Sequence, residues 1–155
     1  MKNKLLKYTK ELIVLIIIVT IFSNGVSLYR SMSLNKIAIP PSLHVEANKP
    51  IMLHFWATWC PVCKAEIDNI QRLSKDYQVI TIAVKSGSDE DIQEYLSKHG
   101  LDFKVINDKE ANLAREFGIS IYPTTIIYDK NKKLIFSDIG YTSTWGLYLR
   151  MWWSS

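Results

Sequence analysis

The sequence predicts an α/β domain in which a mixed sheet carries helices on both faces. Three observations lead there. Short apolar, β-rich runs alternate with stretches of helical spacing. The last two such runs face each other across the polar turn Asp129-Lys130-Asn131-Lys132, which closes a hairpin and makes the sheet mixed. Of the 155 residues, 48% are apolar and 22% charged, a balance that excludes a disordered tail or a low-complexity array and suits one domain.

The elements follow in order. Residues 51–56 form an apolar strand, and residues 61–73 a helix whose Val62, Ile67, Ile70 and Leu73 keep helical spacing. Residues 79–84 are β-branched and continuous, as in a strand covered on both faces. Ser88 caps a helix over 88–99 that has Asp89, Glu90 and Asp91 in its first turn and Gly100 as its stop. A short strand at 103–106 and a short helix at 109–117, closed by Gly118, come next. The hairpin strands are 124–128 and 134–137, and 142–153 is a final helix. There Trp145, Leu149 and Trp152 repeat at one-face spacing, a stripe expected to pack on the sheet rather than enter a membrane interface. Residues 88–106 thus insert a helix–strand unit into the alternation.

Net charge is +4, and all of it lies in residues 1–30, where Lys2, Lys4, Lys7, Lys10 and Arg30 stand against Glu11. The remainder is balanced, with no basic stripe interleaved with aromatics, so nucleic acid is excluded as a partner. Residues 12–29 are 18 positions without a charge. As a helix they rise roughly 27 Å, close to a hydrocarbon core of roughly 30 Å. With four lysines ahead of them, a single span with the rest of the chain outside is expected. A cleaved signal peptide is the alternative, because Ser23-Asn24-Gly25 offers small residues. Both readings export the domain. Residues 31–49, broken by Pro40-Pro41 and Asn48-Lys49-Pro50, read as a linker, and 50–155 as the folded domain.

The two cysteines sit in Cys60-Pro61-Val62-Cys63, where the first strand gives way to a helix. As a staple the pair is poor, since so short a loop removes only about 2 kcal/mol of unfolded-state entropy. As a metal site it is incomplete, because His44, His54 and His99 are not spaced to finish a zinc set. Haem attachment needs a histidine where Lys64 stands. Thiol–disulfide exchange fits the position. At a helix N-terminus the unpaired N–H groups and the dipole favour a thiolate on Cys60, and Pro61 suits the first turn. Cys60 is expected to be exposed, and Cys63 covered by apolar neighbours.

The segment from His54 through Phe55-Trp56-Ala57-Thr58-Trp59-Cys60-Pro61-Val62-Cys63 to Lys64-Ala65-Glu66 resembles the active-site segment of the membrane-tethered thioredoxin-like family, the TlpA, ResA and DsbE group. Tyr122-Pro123-Thr124-Thr125 resembles the cis-proline loop of that fold, and the tail from Gly140 to Trp152 resembles the ScsD branch, suppressor of copper sensitivity protein D. The resemblance spans about residues 50–153. It implies a thioredoxin-like fold and a membrane-anchored thiol:disulfide oxidoreductase of the bacterial cytoplasmic membrane, with its domain on the periplasmic side. Cys60 and Cys63 then form a redox-active disulfide, Cys60 entering the mixed disulfide and Cys63 resolving it. The dithiol is itself the redox group, so neither cofactor nor metal is implied. The implied partners are cysteine-containing exported proteins and a membrane redox partner. The chain departs from the group in its short lead-in and in placing His54 where many thioredoxins hold a buried acid. A copper(I)-binding module without redox turnover stays open, since soft thiolates suit that ion. So does a peptide-binding chaperone that uses the Tyr122-Pro123 groove.

The resemblance puts Pro123 in cis against the cysteines, although trans is the commoner state of such bonds. Tyr122 would then offer backbone hydrogen bonds to an extended peptide. Glu66 lies one turn beyond Cys63. It is either a solvated acid favouring the dipole or, as in ResA-like proteins, an aid to proton transfer. His54 is either a satisfied core histidine or the proton acceptor for Cys63. Trp56 and Trp59 are expected to pack around the motif, shielding a sulfur and giving substrates an apolar rim.

Overall fold

Every side chain of β1 (Ile51–Trp56) is buried, because this strand lies at the centre of a five-stranded sheet ordered β3-β2-β1-β4-β5. The computed structural model describes residues 8–15, 17–18, 38–41, 43 and 45–155. β2 (Gln78–Val84) and β3 (Val105–Asp108) run parallel to β1, whereas β4 (Thr124–Tyr128) is antiparallel to it and pairs with β5 (Leu134–Ile139). Among the described residues from 51 onward, four helices accompany the strands: α1 (Pro61–Leu73) after β1, α2 (Asp89–Lys98) after β2, α3 (Asn112–Glu116) after β3 and α4 (Thr144–Trp153) last. The mixed sheet and the inserted helix–strand unit are as the sequence predicts.

Alternation along β1 divides the core in two. Ile51, Leu53 and Phe55 point to the face covered by Ala114 and Phe117 of the α3 region. Leu43 packs there too, with Ile39 and Val45 leaning on it, so the packed body extends upstream of residue 50. Met52 and Trp56 point to the opposite face, under Ile67 and Ile70 of α1, Ile92 and Leu96 of α2, and Leu147 and Met151 of α4. His54, between them in the alternation, belongs to this second face.

Boundaries shift where side chains from elsewhere satisfy the backbone. The strand predicted at 103–106 lies at 105–108, because its pairing with β2 begins at Thr81 opposite Val105. The helix predicted from Lys109 starts at Asn112. The Asp108 carboxylate accepts from the N–H groups of Leu113 (3.2 Å) and Ala114 (2.8 Å), and Ala111 takes a left-handed φ of 56° to allow it. The last helix begins at Thr144 rather than Thr142, since Ser143 is its cap and accepts from the Gly146 N–H at 3.3 Å.

One expectation is overturned. Trp145 (81% exposed), Leu149 (63%) and Trp152 (67%) face outward, whereas Leu147 and Met151 are fully buried. Both faces of α4 are apolar, so periodicity finds the helix without choosing its inner side. The smaller Leu147 and Met151 seat against α1, and the tryptophans stay outside. Toward the N-terminus, residues 8–15 and 17–18 are helical, with Leu12, Ile13, Val14, Leu15, Ile17 and Ile18 exposed. The rest of the expected span at 12–29 lies outside the described residues. Among those described, no helix is long and apolar enough to cross a membrane.

The inversion of α4 is measurable. Leu147→Ala is expected to cost about 2–5 kcal/mol in urea unfolding, as for buried leucines generally. Leu149→Ala is expected to stay within about 0.5 kcal/mol of the parent. The reverse ranking would restore the packing predicted from the sequence.

Candidate active site

The turn after β1 delivers Cys60 to the N-cap of α1. Its N–H bonds the Ala57 carbonyl at 3.2 Å, and its backbone is extended (φ −87°, ψ 115°). Its Sγ accepts from the Cys63 N–H at 3.2 Å, as an oxygen does at an ordinary cap. Pro61 follows in the first turn, where its missing N–H leaves no partner unsatisfied. A disulfide joins Cys60 to Cys63, with Cα atoms 5.3 Å apart.

Cys60 is 4% exposed and Cys63 0%. Both are buried, so the expectation of an exposed Cys60 is overturned, whereas the cover over Cys63 is as expected. The cover over Cys60 comes from the opposite loop. The Tyr122–Pro123 peptide is cis, and the Tyr122 carbonyl oxygen lies 3.7 Å from Cys60 Sγ. Gly140 secures that loop by donating its N–H to the Pro123 carbonyl at 2.8 Å. Trp59 stands edge-on to Tyr122, with ring centroids 6.0 Å apart, and its indole N–H reaches the Lys85 carbonyl at 3.0 Å. Trp59, Val62 and Ile121 are exposed and form an apolar rim. Trp56, by contrast, is fully buried, against Tyr95 and Phe103.

Beneath α1 the strand register aligns four polar side chains: Thr81, His54, Thr125 and Asp138 are successive cross-strand neighbours. His54 Nδ1 and the Thr125 hydroxyl share a hydrogen bond of 2.9 Å. Its Nε2 is buried and has no hydrogen-bond partner among the described residues. Burial keeps the imidazole neutral, lowering its pKa to about 3. Glu66 is also fully buried, which rules out the solvated first-turn acid. Its Oε1 accepts from the Thr142 N–H at 3.0 Å. Burial pushes its pKa up to about 7, assisted by the nearby charge of Asp138 and opposed by the Thr142 hydrogen bond. Burial likewise raises the pKa of Asp138, against the pull of Arg150. Arg150 holds that carboxylate by two contacts, of 2.8 and 3.3 Å.

The site therefore joins Cys60, Cys63, Trp59, Tyr122 and Pro123 at its mouth, with Glu66 and His54 on the covered face behind. Sequence reasoning misses Asp138 and Arg150. Asp138 carries a signal, because it follows Phe136 by two residues and so shares that residue's inward face. Arg150 falls between the buried Leu147 and Met151 in the helical pattern. Among the described residues, no three His, Cys, Asp or Glu side chains converge to hold a metal ion.

Residues 38–137 match the AhpC/TSA family. A thioredoxin-like protein of Haemophilus influenzae is 37% identical over 108 residues, which are 69% of this chain and 64% of that protein. The thiol-disulfide oxidoreductase ResA of Halalkalibacterium halodurans is 32% identical over 92 residues, 57% of this chain and 52% of that one. The crystal structure of an exposed lipoprotein thioredoxin from Streptococcus pneumoniae superposes with a TM-score of 0.57 at 27% identity, over 67% of this chain and 84% of the other. The chain thus spans between half and two thirds of the length of the curated relatives it matches.

Burial acts on Glu66 and His54 with opposite sign. The stability Glu66 contributes is complete below its unfolded pKa of 4.5 and is lost as pH rises through about 7. That of His54 is complete above 6.5 and is lost as pH falls toward about 3. Between roughly pH 4.5 and 6.5 the two slopes oppose each other. In urea unfolding of the oxidised protein, Glu66→Gln is expected to gain stability relative to the parent, on the order of 3 kcal/mol between pH 4.5 and 7.5. A difference independent of pH would show that Glu66 is not held as a neutral acid.

Proposed function

The chain belongs to the AhpC/TSA family, with a thioredoxin-like fold, and from that premise we propose that it is a membrane-anchored thiol:disulfide oxidoreductase acting on cysteine-containing exported proteins. The observation that carries this is the Cys60–Cys63 disulfide at the N-terminus of α1, with Cys60 Sγ in the capping position. In the reduced protein the same N–H groups and dipole favour a thiolate on Cys60. That thiolate attacks a substrate disulfide, forms a Cys60–substrate disulfide and releases one substrate thiol, which takes up a proton. Cys63 then loses its proton and attacks Cys60 Sγ, expelling the second substrate thiol and restoring the internal disulfide. The substrate is reduced by two electrons and the protein oxidised by two. The reverse sequence oxidises a dithiol substrate.

Of the two candidate bases, Glu66 suits the Cys63 proton, because its carboxyl titrates at about 7. His54 stays neutral down to about pH 3, so it serves as the polar member of β1 that orients toward Thr125. The Tyr122 carbonyl beside Cys60 offers an acceptor to an extended substrate backbone, and Trp59, Val62 and Ile121 supply the apolar rim around it. Residues 12–29 with the four lysines ahead of them, and the exposed apolar side chains at 12–15, 17 and 18, support the anchor. The domain then lies on the extracytoplasmic side of the bacterial cytoplasmic membrane, where a membrane redox partner returns the cysteines to their starting state.

The metal-free full chain in detergent is expected to turn over a peptide disulfide, monitored by release of a thiol. Cys63→Ser should accumulate mixed disulfides through Cys60 on non-reducing electrophoresis, and Cys60→Ser should trap few or none. Stoichiometric copper(I) binding without turnover would replace this reading with the copper module. Trapping mainly through Cys63 would reverse the two roles.

A further inference from the structure

We propose that the outer face of α4 lies in the interface of the lipid bilayer, so that the domain is held on the membrane by its last helix as well as by its N-terminal segment. This rests on the anchored reading for the nearness of a membrane, and adds to it a contact surface and an orientation.

Trp145 (81% exposed), Leu149 (63%), Trp152 (67%) and Trp153 (72%) stand on this helix. At 3.6 residues per turn they fall within a stripe about 100° wide. The helix cannot rotate to hide them, since Leu147 and Met151 on its other side are fully buried in the core. Tryptophan, with an apolar body and one N–H donor, favours the boundary between headgroups and acyl chains. The helix carries no carboxylate, and its Arg150 is engaged by Asp138. Beside Trp145, the exposed Arg72 and Lys75 of the α1 end line one depression, at the level anionic headgroups would occupy. Asp76 in that depression accepts from the Tyr148 hydroxyl, and with Arg72 and Lys75 the lining holds two basic side chains to one acidic.

The stretch just ahead of β1 reaches the same end of the domain as the last residues of the chain. Glu46, Lys49 and Pro50, just ahead of β1, line one depression with Ser155, just past the end of α4. The segment leading into β1 and the C-terminal end of α4 thus share one pole of the domain. A second copy suits the face less well. A helix of ten residues is about 15 Å long and offers far less than the roughly 800 Å² per partner of a stable interface. Thr144 bonds Asn69, and Tyr148 bonds Asp76, so α1 and α4 run in the same direction. With α4 lying in the membrane plane, Cys60 at the start of α1 points along the surface, where a partner embedded in the same bilayer can reach it.

The five tryptophans make the test direct. Trp56 is buried, Trp59 sits at the opposite pole, and none lies before residue 50, so the anchor itself is silent. The full chain is reconstituted into phosphatidylethanolamine–phosphatidylglycerol vesicles whose acyl chains carry bromine, and its emission is compared with that in unbrominated vesicles. Quenching is expected, and expected to be lost in the variant Trp145→Ser/Trp152→Ser/Trp153→Ser, which should still float with the vesicles through its anchor. Trp59→Phe should leave the quenching in place. Flotation without quenching overturns the α4 contact and leaves the anchor standing. Failure to float overturns both. A dimer cross-linked through α4 without lipid quenching gives the face to a second copy and overturns the bilayer contact.

Discussion

The first turn of α1 presents N–H groups that its own helix cannot satisfy, and the sulfur of Cys60 meets that need at 3.2 Å from the Cys63 N–H. Much of the molecule serves to hold this sulfur in place. The buried β1 fixes where the turn begins, and the Ala57 carbonyl takes the Cys60 N–H. Ser86 accepts the Thr58 N–H at 3.1 Å, and Lys85 takes the Trp59 indole, so the end of β2 steadies the other side. In the proposed reaction the capping acceptor is also the reacting atom. A donor that stabilises the folded helix therefore stabilises the thiolate as well, and local structure and chemistry are one interaction.

Behind the cysteines, α4 does more than cover the sheet. It brings Arg150 to Asp138, and the loop before it brings the Thr142 N–H to Glu66. Both contacts limit how far burial raises carboxylate proton affinity on this face. Without Arg150, Asp138 would hold its proton more tightly or, if charged, push Glu66 higher still. The last helix and the loop before it thus set the surroundings of both buried carboxylates behind Cys63.

What was legible in the sequence is what adjacent residues settle among themselves. Cys60-Pro61-Val62-Cys63 announces its helix start, and Ser88 with Asp91 forms the expected cap. The strand–helix alternation is carried by runs of six or seven residues in β1 and β2. What was not legible depends on residues far apart in the chain. The row Thr81, His54, Thr125 and Asp138 exists only once four strands are in register. The start of α3 is set by Asp108 of β3. The inner side of α4 is chosen by what fits against α1, and an apolar count cannot distinguish Leu147 and Met151 from Trp145 and Leu149. The covering of Cys60 likewise comes from Tyr122, 62 positions away.

Burial favours the neutral form of both titratable groups on the covered face, yet the consequence differs between them. For His54 the neutral form is the one without the extra proton, and at pH 7 it has none to give and little affinity to take one. For Glu66 the neutral form carries the proton, and with a pKa of about 7 it can release or accept one at little cost. Asp138 is tied to Arg150. Among the described groups on this face, the exchangeable proton near neutral pH is therefore that of Glu66, one helical turn from Cys63. An arriving thiolate at Cys63 and a charged Glu66 would repel each other in so dry a setting. In the proposed reaction, passing one proton between them would keep a single negative charge on the pair while the disulfide is made or broken. That condition needs an acid whose affinity matches a thiol more nearly than an ordinary carboxylate does, and burial under α4 and the Thr142 loop supplies it.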